Sequence, residues 1–139
     1  MDFFSSMRVS SSGLDSQMKR MNTISSNIAN AETVGYRRKD PVMAAETDRE
    51  SFGEILTNKM DEHIQGVRVV DIAEDPKPLR MIYNPSHPQA NADGNVAMPN
   101  VNTVEEMANM ISAQRSYEAN VTAMNAAKQM AQKALELGR

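Results

Sequence analysis

The sequence contains no cysteine and no tryptophan among its 139 residues. Without thiols the chain can form neither a disulfide framework nor a thiolate metal site, and redox chemistry through thiols is excluded. Aromatic residues make up only 4% of the chain, whereas methionine occurs 12 times. The apolar surface is therefore built mainly from flexible, polarizable side chains, which suit adaptable contacts.

Long hydrophobic runs are also missing. No segment approaches the ~20 apolar residues of a membrane-spanning helix. Polar residues interrupt the first segment before the apolar core of a signal peptide could form, so we expect no cleavable signal and no membrane insertion. The net charge is −3, which argues against nucleic acid or an anionic membrane as the main partner.

Patterns for catalysis or metal binding are absent as well. His63 and His87 are the only histidines, and neither has a second ligand one helical turn away. No serine is accompanied by a base and an oxyanion site. The turn that contains Asn91, Asp93 and Asn95 lacks the glycine position and the final glutamate of a calcium loop. We therefore expect no catalytic residue, no metal, no cofactor and no enzymatic activity.

The prolines are confined to the middle of the chain. All six lie between Pro41 and Pro99, and because proline breaks helices, the long helices are predicted at the two ends. The predicted fold is mainly α with a small β element, in which the terminal helices pair as a coiled coil. Residues 1–40 form an N-terminal helix and turn, 41–98 a small middle module, and 99–139 a C-terminal helix.

The first helix is predicted from about residue 4 to residue 30. Its serine-rich start and Gly13 weaken it, so it needs a partner. Its apolar residues recur mainly every seven positions and draw one narrow stripe. The packing residues predicted from this stripe are Met7, Leu14, Met18, Met21 and Ile24, followed by Ile28.

The second helix is predicted to span about 33 residues, or roughly 50 Å at ~1.5 Å per residue. Its apolar positions follow three- and four-residue steps or their sums. These positions, predicted to serve helix packing or assembly, are Val104, Met107, Ile111, Tyr117, Val121, Met124, Ala131 and Leu135. Small residues beside the stripe, Ala113 and Ala127 among them, are predicted to form a flank that accepts another helix at close range.

The ends of the second helix carry recognisable signals. Asn102 with Glu105, and Thr103 with Glu106, both have the spacing at which a cap residue and a glutamate satisfy free backbone N–H groups. Gly138 suits the far end. We therefore predict a helix start at these four residues.

The middle module contains two segments with strand character. Residues 66–72 are rich in β-branched side chains, and residues 79–83 are predicted to pair with them as a hairpin across the turn at 74–78. Residues 84–100 are predicted to be loop. The segment before the hairpin could form either a short amphipathic helix or a mobile loop. Its apolar residues are Phe52, Ile55, Leu56 and Met60.

One segment at the end of the first helix is unusual. Two asparagines close the helix and a glycine follows, which permits a chain reversal that lets the next tyrosine fold back onto apolar surface. An ordinary helix cap is the plain interpretation. The motif residues are Asn27, Ile28, Ala29, Asn30, Thr33, Gly35, Tyr36, Arg37 and Arg38.

This string, Asn-x-Ala-Asn followed by Thr-x-Gly-Tyr and a basic pair, closely resembles the signature of the flagellar rod, hook and hook-associated axial proteins. A second resemblance covers residues 99–107 and 110–120, which look like the C-terminal helix of the same family. Roughly 30 to 40 residues match at each end. Within the family, the short centre and the final residues point to a subunit of the proximal rod.

The resemblance implies a structural subunit that polymerises through its terminal helices into the hollow drive shaft of the flagellum, transmits torque and is required for motility. It implies export without a cleaved signal by the flagellar type III export apparatus, and a location in the rod that crosses the periplasm. The implied partners are the rod proteins FlgB, FlgF and FlgG and the rod-base adaptor FliE.

Two other classes of function stay open from the residues alone. One is a small helical adaptor, or a type III secreted coiled-coil protein, that forms only limited complexes. The other is an enzyme that uses His63 or His87. If the chain is a rod subunit instead, replacing both histidines with alanine should leave motility intact.

Overall fold

The computed structural model describes residues 3–46 and 66–137. The elements, in chain order, are α1 (Phe3–Ala29), β1 (Lys39–Glu46), β2 (Gly66–Glu74), β3 (Arg80–Tyr83), β4 (Asn95–Met98) and α2 (Thr103–Leu137). The fold class predicted from the proline-free ends is confirmed, because two long helices flank small antiparallel strand pairs. Neither helix is apolar enough over a sufficient length to cross a membrane. The predictions for Phe52, Ile55, Leu56, Met60 and Gly138 fall outside the described residues.

The two helices run antiparallel. The end of α1 meets the start of α2 where Asn27 contacts Glu106, and fourteen residues away on each helix Gly13 meets Asn120. By the same spacing, the first residues of α1 lie opposite about residue 130 of α2. Because α2 has 35 residues and α1 has 27, the last residues of α2 extend beyond the described part of α1.

The face of α2 that packs on α1 has a seven-residue repeat. Glu106, Ala113 and Ala127 are buried, and the half-buried Asn120 completes the series. Gly13 brings the helices close together, since a Cβ there would lie 2.9 Å from Asn120 Nδ2. The prediction that Ala113 and Ala127 form an outer flank for another helix is therefore wrong, because the close contact to α1 uses these small residues itself.

The apolar core is small. Among the residues that the structure describes, the buried apolar side chains are Ile24, Val96, Ala113 and Ala127. The buried polar or charged residues in the same part of the chain are Ser16, Thr23, Asn27, Asp75 and Glu106. Directional polar bonds therefore contribute a large share of the contacts that define this fold.

The strands pair differently from the sequence-based expectation. β1 pairs antiparallel with β2, with a bulge after Val42, and β3 pairs antiparallel with β4. The predicted hairpin between residues 66–72 and 79–83 is therefore wrong, although both segments are strands. The loop predicted for residues 84–100 contains β4. Composition indicates that a segment is extended, whereas its partner depends on contacts made elsewhere in the fold.

Serine side chains of α1 hold the start of β2. Ser16 Oγ donates to the backbone oxygen of Val67 at 2.9 Å, and the N–H of Val67 donates to Ser12 Oγ at 3.1 Å. A side chain on Gly66 would clash with Ser12, whose Oγ lies 2.7 Å from the position of a Cβ. The serine-rich stretch that weakens α1 as an isolated helix therefore positions the β1–β2 pair.

Candidate functional site

Asn27 lies at the centre of a polar cluster between the two helices. Its side chain is completely buried. Nδ2 donates to the backbone oxygen of Lys39 at 2.8 Å and to Glu106 Oε2 at 3.1 Å. Oδ1 accepts from the N–H of Lys39 at 2.9 Å and from the Tyr36 hydroxyl at 3.0 Å. Two donors and two lone pairs are all that an asparagine amide offers, so this side chain is fully satisfied.

Glu106 brings a buried charge into the same cluster. It is 1% exposed, and its second oxygen, Oε1, accepts a 2.7 Å hydrogen bond from Arg38 Nε. The sequence predicted that Glu106 and Glu105 cap the start of α2. For Glu106 that prediction is wrong, because its carboxylate is engaged by Asn27 and Arg38. The capping contact comes from Asn102, whose Oδ1 accepts from the N–H of Val104 at 3.1 Å.

The remaining cap residues have simpler surroundings. Thr103 is the first residue of α2 and is half-buried, and Glu105 is exposed in the first turn. A carboxylate in this turn is favoured by the partial positive charge of the helix N-terminus. Asn102 therefore carries the hydrogen bond of the cap, and Glu105 adds a charge of the favourable sign.

Arg38 connects three carboxylates. Its Nε bonds Glu106, and Nη1 lies 2.7 Å from Asp40 Oδ2 and 3.4 Å from Asp75 Oδ2. Burial by itself would lower the pKa of Arg38, but the hydrogen bond to Glu106 and the charges of Asp40 and Glu106 outweigh it and raise the pKa. The guanidinium is thus firmly charged and joins the signature segment to α2 and to the end of β2.

The two aspartates on either side of Arg38 have opposite shifts. Burial raises the pKa of Asp40 above its ordinary value, and the nearby carboxylates of Glu106 and Asp75 act in the same direction against the guanidinium of Arg38. The pKa of Asp75 is lowered, mainly by the hydrogen bond from the backbone N–H of Lys77. The two shifts have opposite directions because burial dominates at Asp40, whereas a backbone hydrogen bond to the charged carboxylate dominates at Asp75.

Gly35 reverses the chain between α1 and β1. Its φ of +78° lies in the left-handed region that favours glycine. Its N–H donates to the backbone oxygen of Ala97 at 2.9 Å, which attaches the turn to β4. The turn directs the half-buried Tyr36 back to Asn27, and Lys39 Nζ lies 5.9 Å from the centre of the tyrosine ring. Tyr36 therefore folds back onto a polar group.

The other signature residues close the end of α1. Asn30 Nδ2 donates to the backbone oxygen of Ser26 at 2.8 Å, and Thr33 Oγ1 donates to Asn30 Oδ1 at 3.2 Å. The side chains of Ile28 and Ala29 are half-buried and exposed, respectively, and Arg37 is exposed. The two basic residues of the motif therefore differ: Arg38 points into the cluster and Arg37 points away from it.

Asn100 ties a third segment to the cluster. Its Oδ1 accepts from the backbone N–H of Arg38 at 2.9 Å, and its Nδ2 donates to the backbone oxygen of Lys77 at 3.3 Å. Asp75 adds a backbone bond, since its N–H donates to the oxygen of Arg38 at 2.8 Å. Sequence reasoning singled out neither Asn100 nor Asp75 for this role, and no local pattern marks them, because their partners lie far away in the chain.

The structure divides the predicted packing residues into two groups. On α1, Ile24 is buried, Met18 is 47% exposed, and the others are half-buried. On α2, the half-buried positions are Tyr117, Val121, Met124 and Ala131. The exposed positions are Val104, Met107, Ile111 and Leu135. The second group leaves half or more of its surface uncovered by the described part of the chain.

The histidine-based alternative gains no support. His87 Nδ1 accepts a hydrogen bond from the backbone N–H of Gln89 at 3.1 Å, which is a local turn contact, and His63 lies outside the described residues. No group of three or more carboxylate or histidine side chains in the described ranges could hold a metal ion.

Comparison with known proteins relates both helices to one class of protein. Residues 7–37 match the sequence model of the flagella basal body rod protein family, and residues 92–137 match that of the flagellar basal body rod FlgEFG protein C-terminal family. These two segments contain Asn27 and Glu106, the two buried residues that bond across the helix pair. The matched segments are thus the ones that the polar cluster connects.

Relatives over the whole length give the same result. The chain is 43% identical to the flagellar basal-body rod protein FlgC of Bacillus subtilis, with both chains fully covered. It is 42% identical to FlgC of Borreliella burgdorferi, over 99% of this chain and 98% of the relative. It is 36% identical to FlgC of Salmonella typhimurium, over 94% of each. The chain therefore belongs to the FlgC family of flagellar basal-body rod proteins, whose members are structural subunits of the rod and not enzymes.

Proposed function

We propose that this subunit joins the rod through the outer face of α2, while the polar cluster around Asn27 holds α1 and α2 in one fixed register. The observation that carries the proposal is the position of the exposed apolar side chains. Val104 and Ile111 are 76% and 55% exposed, and Met107 lies between them on the same side of the helix. These three residues are called the outer patch below.

The outer patch faces away from α1. Ile111 and the buried Ala113 are two residues apart, which corresponds to about 200° around a helix of 3.6 residues per turn. The same separation relates Val104 to Glu106. A helix that already covers one face with α1 therefore offers a second apolar face, and burying each of its side chains against a neighbour would contribute about 1.5–3 kcal/mol.

The far end of α2 supports the same role. Leu135 is 76% exposed and lies in the part of α2 that extends beyond the described residues of α1. A side chain there can be covered by another subunit without any change in the helix pair. The proposed neighbours are FlgB, FlgF and FlgG in the rod and FliE at its base. The subunit would reach them, without a cleaved signal, through the flagellar type III export apparatus, in the part of the rod that crosses the periplasm.

The test compares two charge substitutions on the outer side of α2 in a strain that lacks the natural protein. Ile111→Asp should reduce the amount of the chain in purified basal bodies at least about tenfold, because the carboxylate would be buried without a partner. Asn125→Asp adds the same charge at an exposed polar position and should assemble normally.

Helix content by circular dichroism should be the same for both variants, since neither position packs on α1. Normal incorporation of Ile111→Asp would refute the role of the outer patch. In the deletion strain itself, rods should be missing while the inner-membrane ring still forms. A strain that builds complete rods without the protein would refute the assignment to the rod.

A further inference from the structure

The β1–β2 pair forms a ribbon that runs along α1. Asn27 bonds both backbone groups of Lys39 at the start of β1, and Ser12 and Ser16 bond those of Val67 near the other end of the ribbon. Val67 pairs with the residue six positions after Lys39, a distance of about 20 Å along a strand. About 13 helical residues separate Asn27 from the midpoint of the two serines, which is also about 20 Å. The ribbon therefore lies nearly parallel to the helix.

One face of the ribbon is turned away from α1. Val42 and Ala44 are exposed, whereas the β1 residues on either side of Val42 are half-buried. Because alternate residues of a strand point to opposite faces, Val42 and Ala44 lie on the outer face. Their partners across the ribbon, Asp71 and Arg68, are exposed on the same face. These four residues are called the ribbon face below.

The ribbon face and the outer patch lie level with each other along the helix pair. By the pairing of α1 with α2 described above, Ile111 is level with about residue 22 of α1. Val42 comes three residues after Lys39 in β1. That is about 10 Å from the backbone that Asn27 holds, so Val42 is level with about residue 20 of α1. The two surfaces therefore differ in level by only about 3 Å.

The two surfaces lie on different sides of the subunit. Gly13 of α1 faces α2, whereas Ser12 and Ser16 face the ribbon and lie about 100° and about 60° to one side of Gly13 around the helix. Within the described residues neither strand of the ribbon lies against α2. The outer patch and the ribbon face therefore point roughly at right angles to each other.

The charges on the two surfaces are complementary. On the outer side of α2, Arg115 follows Ile111 by about one turn, and Glu118 follows by about one more. On the ribbon face, Asp71 lies toward the end of α1 and Arg68 toward its start. All four charged side chains are exposed, and none has an ion pair in the part of the chain that the structure describes. Read toward the start of α1, the order is cation then anion on α2, and anion then cation on the ribbon.

We propose that the outer patch of one copy of this chain docks on the ribbon face of the next copy, side by side and in the same orientation. The inference rests on the proposed function, because it identifies the neighbour that covers the outer patch. It leaves the end of α2 with Leu135 free for other rod proteins. The residues that this arrangement brings together are Ile111 with Val42, Arg115 with Asp71, and Glu118 with Arg68.

A second copy is the occupant that the positions of the two surfaces favour. Complementary surfaces at one level of a molecule meet when an identical molecule stands beside it in the same orientation, and such a head-to-tail contact can repeat. Because the surfaces are roughly at right angles, each added copy is rotated in the same sense and the row curves into a wall. Contact between two outer patches would instead need a twofold axis and would end at a dimer.

Disulfide cross-linking tests the contact, because the chain has no cysteine of its own. In oxidised basal bodies, a chain with both Val42→Cys and Ile111→Cys should form a ladder of oligomers that mass spectrometry shows to contain this chain alone. The matched control combines Val42→Cys with Asn125→Cys. Asn125 lies about 21 Å further along α2, which exceeds the reach of a disulfide, so this control should give at least about tenfold less cross-linked product.

The single-cysteine variants distinguish the possible contacts. Each should remain uncross-linked, and dimers of the Ile111→Cys variant alone would overturn the inference, because the outer patch would then meet itself. Absence of the ladder, with the double variant present in basal bodies by immunoblot, would also overturn it and leave the proposed function intact. Normal incorporation of Ile111→Asp would instead contradict the proposed function and the inference with it.

Exchange of one charge pair supplies a second measurement. Arg115→Glu should lower the amount of the chain in basal bodies at least about tenfold, because it places two carboxylates against each other. Adding Asp71→Arg to the same chain should restore incorporation to within about threefold of the wild type, since opposite charges meet again. Equal incorporation of Arg115→Glu with and without Asp71→Arg would overturn the inference, and this comparison decides it if the cysteine variants fail to assemble.

Discussion

Asn27 and Glu106 are two fully buried polar residues that bond each other at 3.1 Å across 79 residues of sequence. The contact fixes α1 against α2 at one position, because sliding one helix along the other would break this bond and leave the buried Oε2 of Glu106 without its donor. Apolar side chains tolerate such a shift more readily, whereas a buried polar group left unpaired costs free energy.

Removal of the Asn27 side chain should therefore destabilise the chain strongly. We expect Asn27→Ala to lower the free energy of unfolding by about 3 kcal/mol, because the buried carboxylate of Glu106 loses a donor and the backbone of Lys39 loses two bonds. Asn30→Ala, which removes a less buried bond to Ser26, should cost only about 1 kcal/mol. Urea unfolding followed by circular dichroism measures both. Equal losses for the two variants would contradict the central position of Asn27.

Lysine at position 38 should not replace arginine. Arg38 uses Nε toward Glu106 and Nη1 toward Asp40, and a lysine ammonium cannot hold both carboxylates in this geometry. We expect Arg38→Lys to cost about 1.5–3 kcal/mol. Arg37→Lys, at the exposed neighbouring position, should change the stability by less than about 0.5 kcal/mol. Thermal melts of the two variants provide the comparison, and a neutral Arg38→Lys would refute the bridging role.

Gly35 should be replaceable only by residues that accept a positive φ. No atom lies within 4 Å of the position of an added Cβ, so the cost comes from the backbone alone. We expect Gly35→Val to cost about 1–2 kcal/mol and to disturb assembly more than solubility, whereas Gly35→Asn should cost clearly less. Stability and swimming of the two variants should follow the same order. Normal swimming of Gly35→Val would count against the role of the turn.

The two aspartates should change the acid response of the chain in opposite ways. The raised pKa of Asp40 means that the folded chain binds this proton more tightly than the unfolded chain, so stability is gained as the pH falls through that pKa. The lowered pKa of Asp75 means that its contribution is present above the ordinary value of 3.8 and is lost as the pH falls through the folded value.

Asp40→Asn removes the stability that the wild type gains when Asp40 binds a proton. This variant should therefore lose more stability than the wild type between about pH 7 and pH 4. Asp75→Asn removes the stability that the wild type loses when the Asp75 carboxylate is protonated. This variant should therefore lose less stability than the wild type between about pH 4 and pH 2. Urea unfolding at a series of pH values checks both. Curves parallel to the wild type would show that neither carboxylate senses the cluster.

The sequence predicted the long helices because proline restricts where a helix can continue, and the position of Pro41 and Pro99 left little choice. It did not predict which side of α2 faces α1. Hydrophobic spacing drew attention to Val104 and Ile111, whereas the surface against α1 is built from small and polar residues such as Ala113. Spacing alone cannot distinguish a side chain that packs within the chain from one that faces outward.

The polar cluster was only partly visible in the sequence. The motif identified Asn27, Gly35 and Arg38, but it gave no indication that Glu106 is their partner, since a glutamate three residues after a cap residue is usual at a helix start. The strand partners could not be predicted for a related reason. β2 pairs with β1 because Ser12 and Ser16 hold its first residues against α1, and that contact lies more than fifty residues away in sequence.

The small apolar core has a consequence for how the subunit responds to temperature. The heat capacity of unfolding grows with the apolar surface that unfolding exposes, and it sets the curvature of the stability curve. Most apolar side chains of the described helix pair are half-buried or exposed, so we expect this curvature to be small for a chain of this length. The isolated subunit should therefore have a broad, shallow stability curve, with little difference between cold and warm conditions and no sharp calorimetric peak.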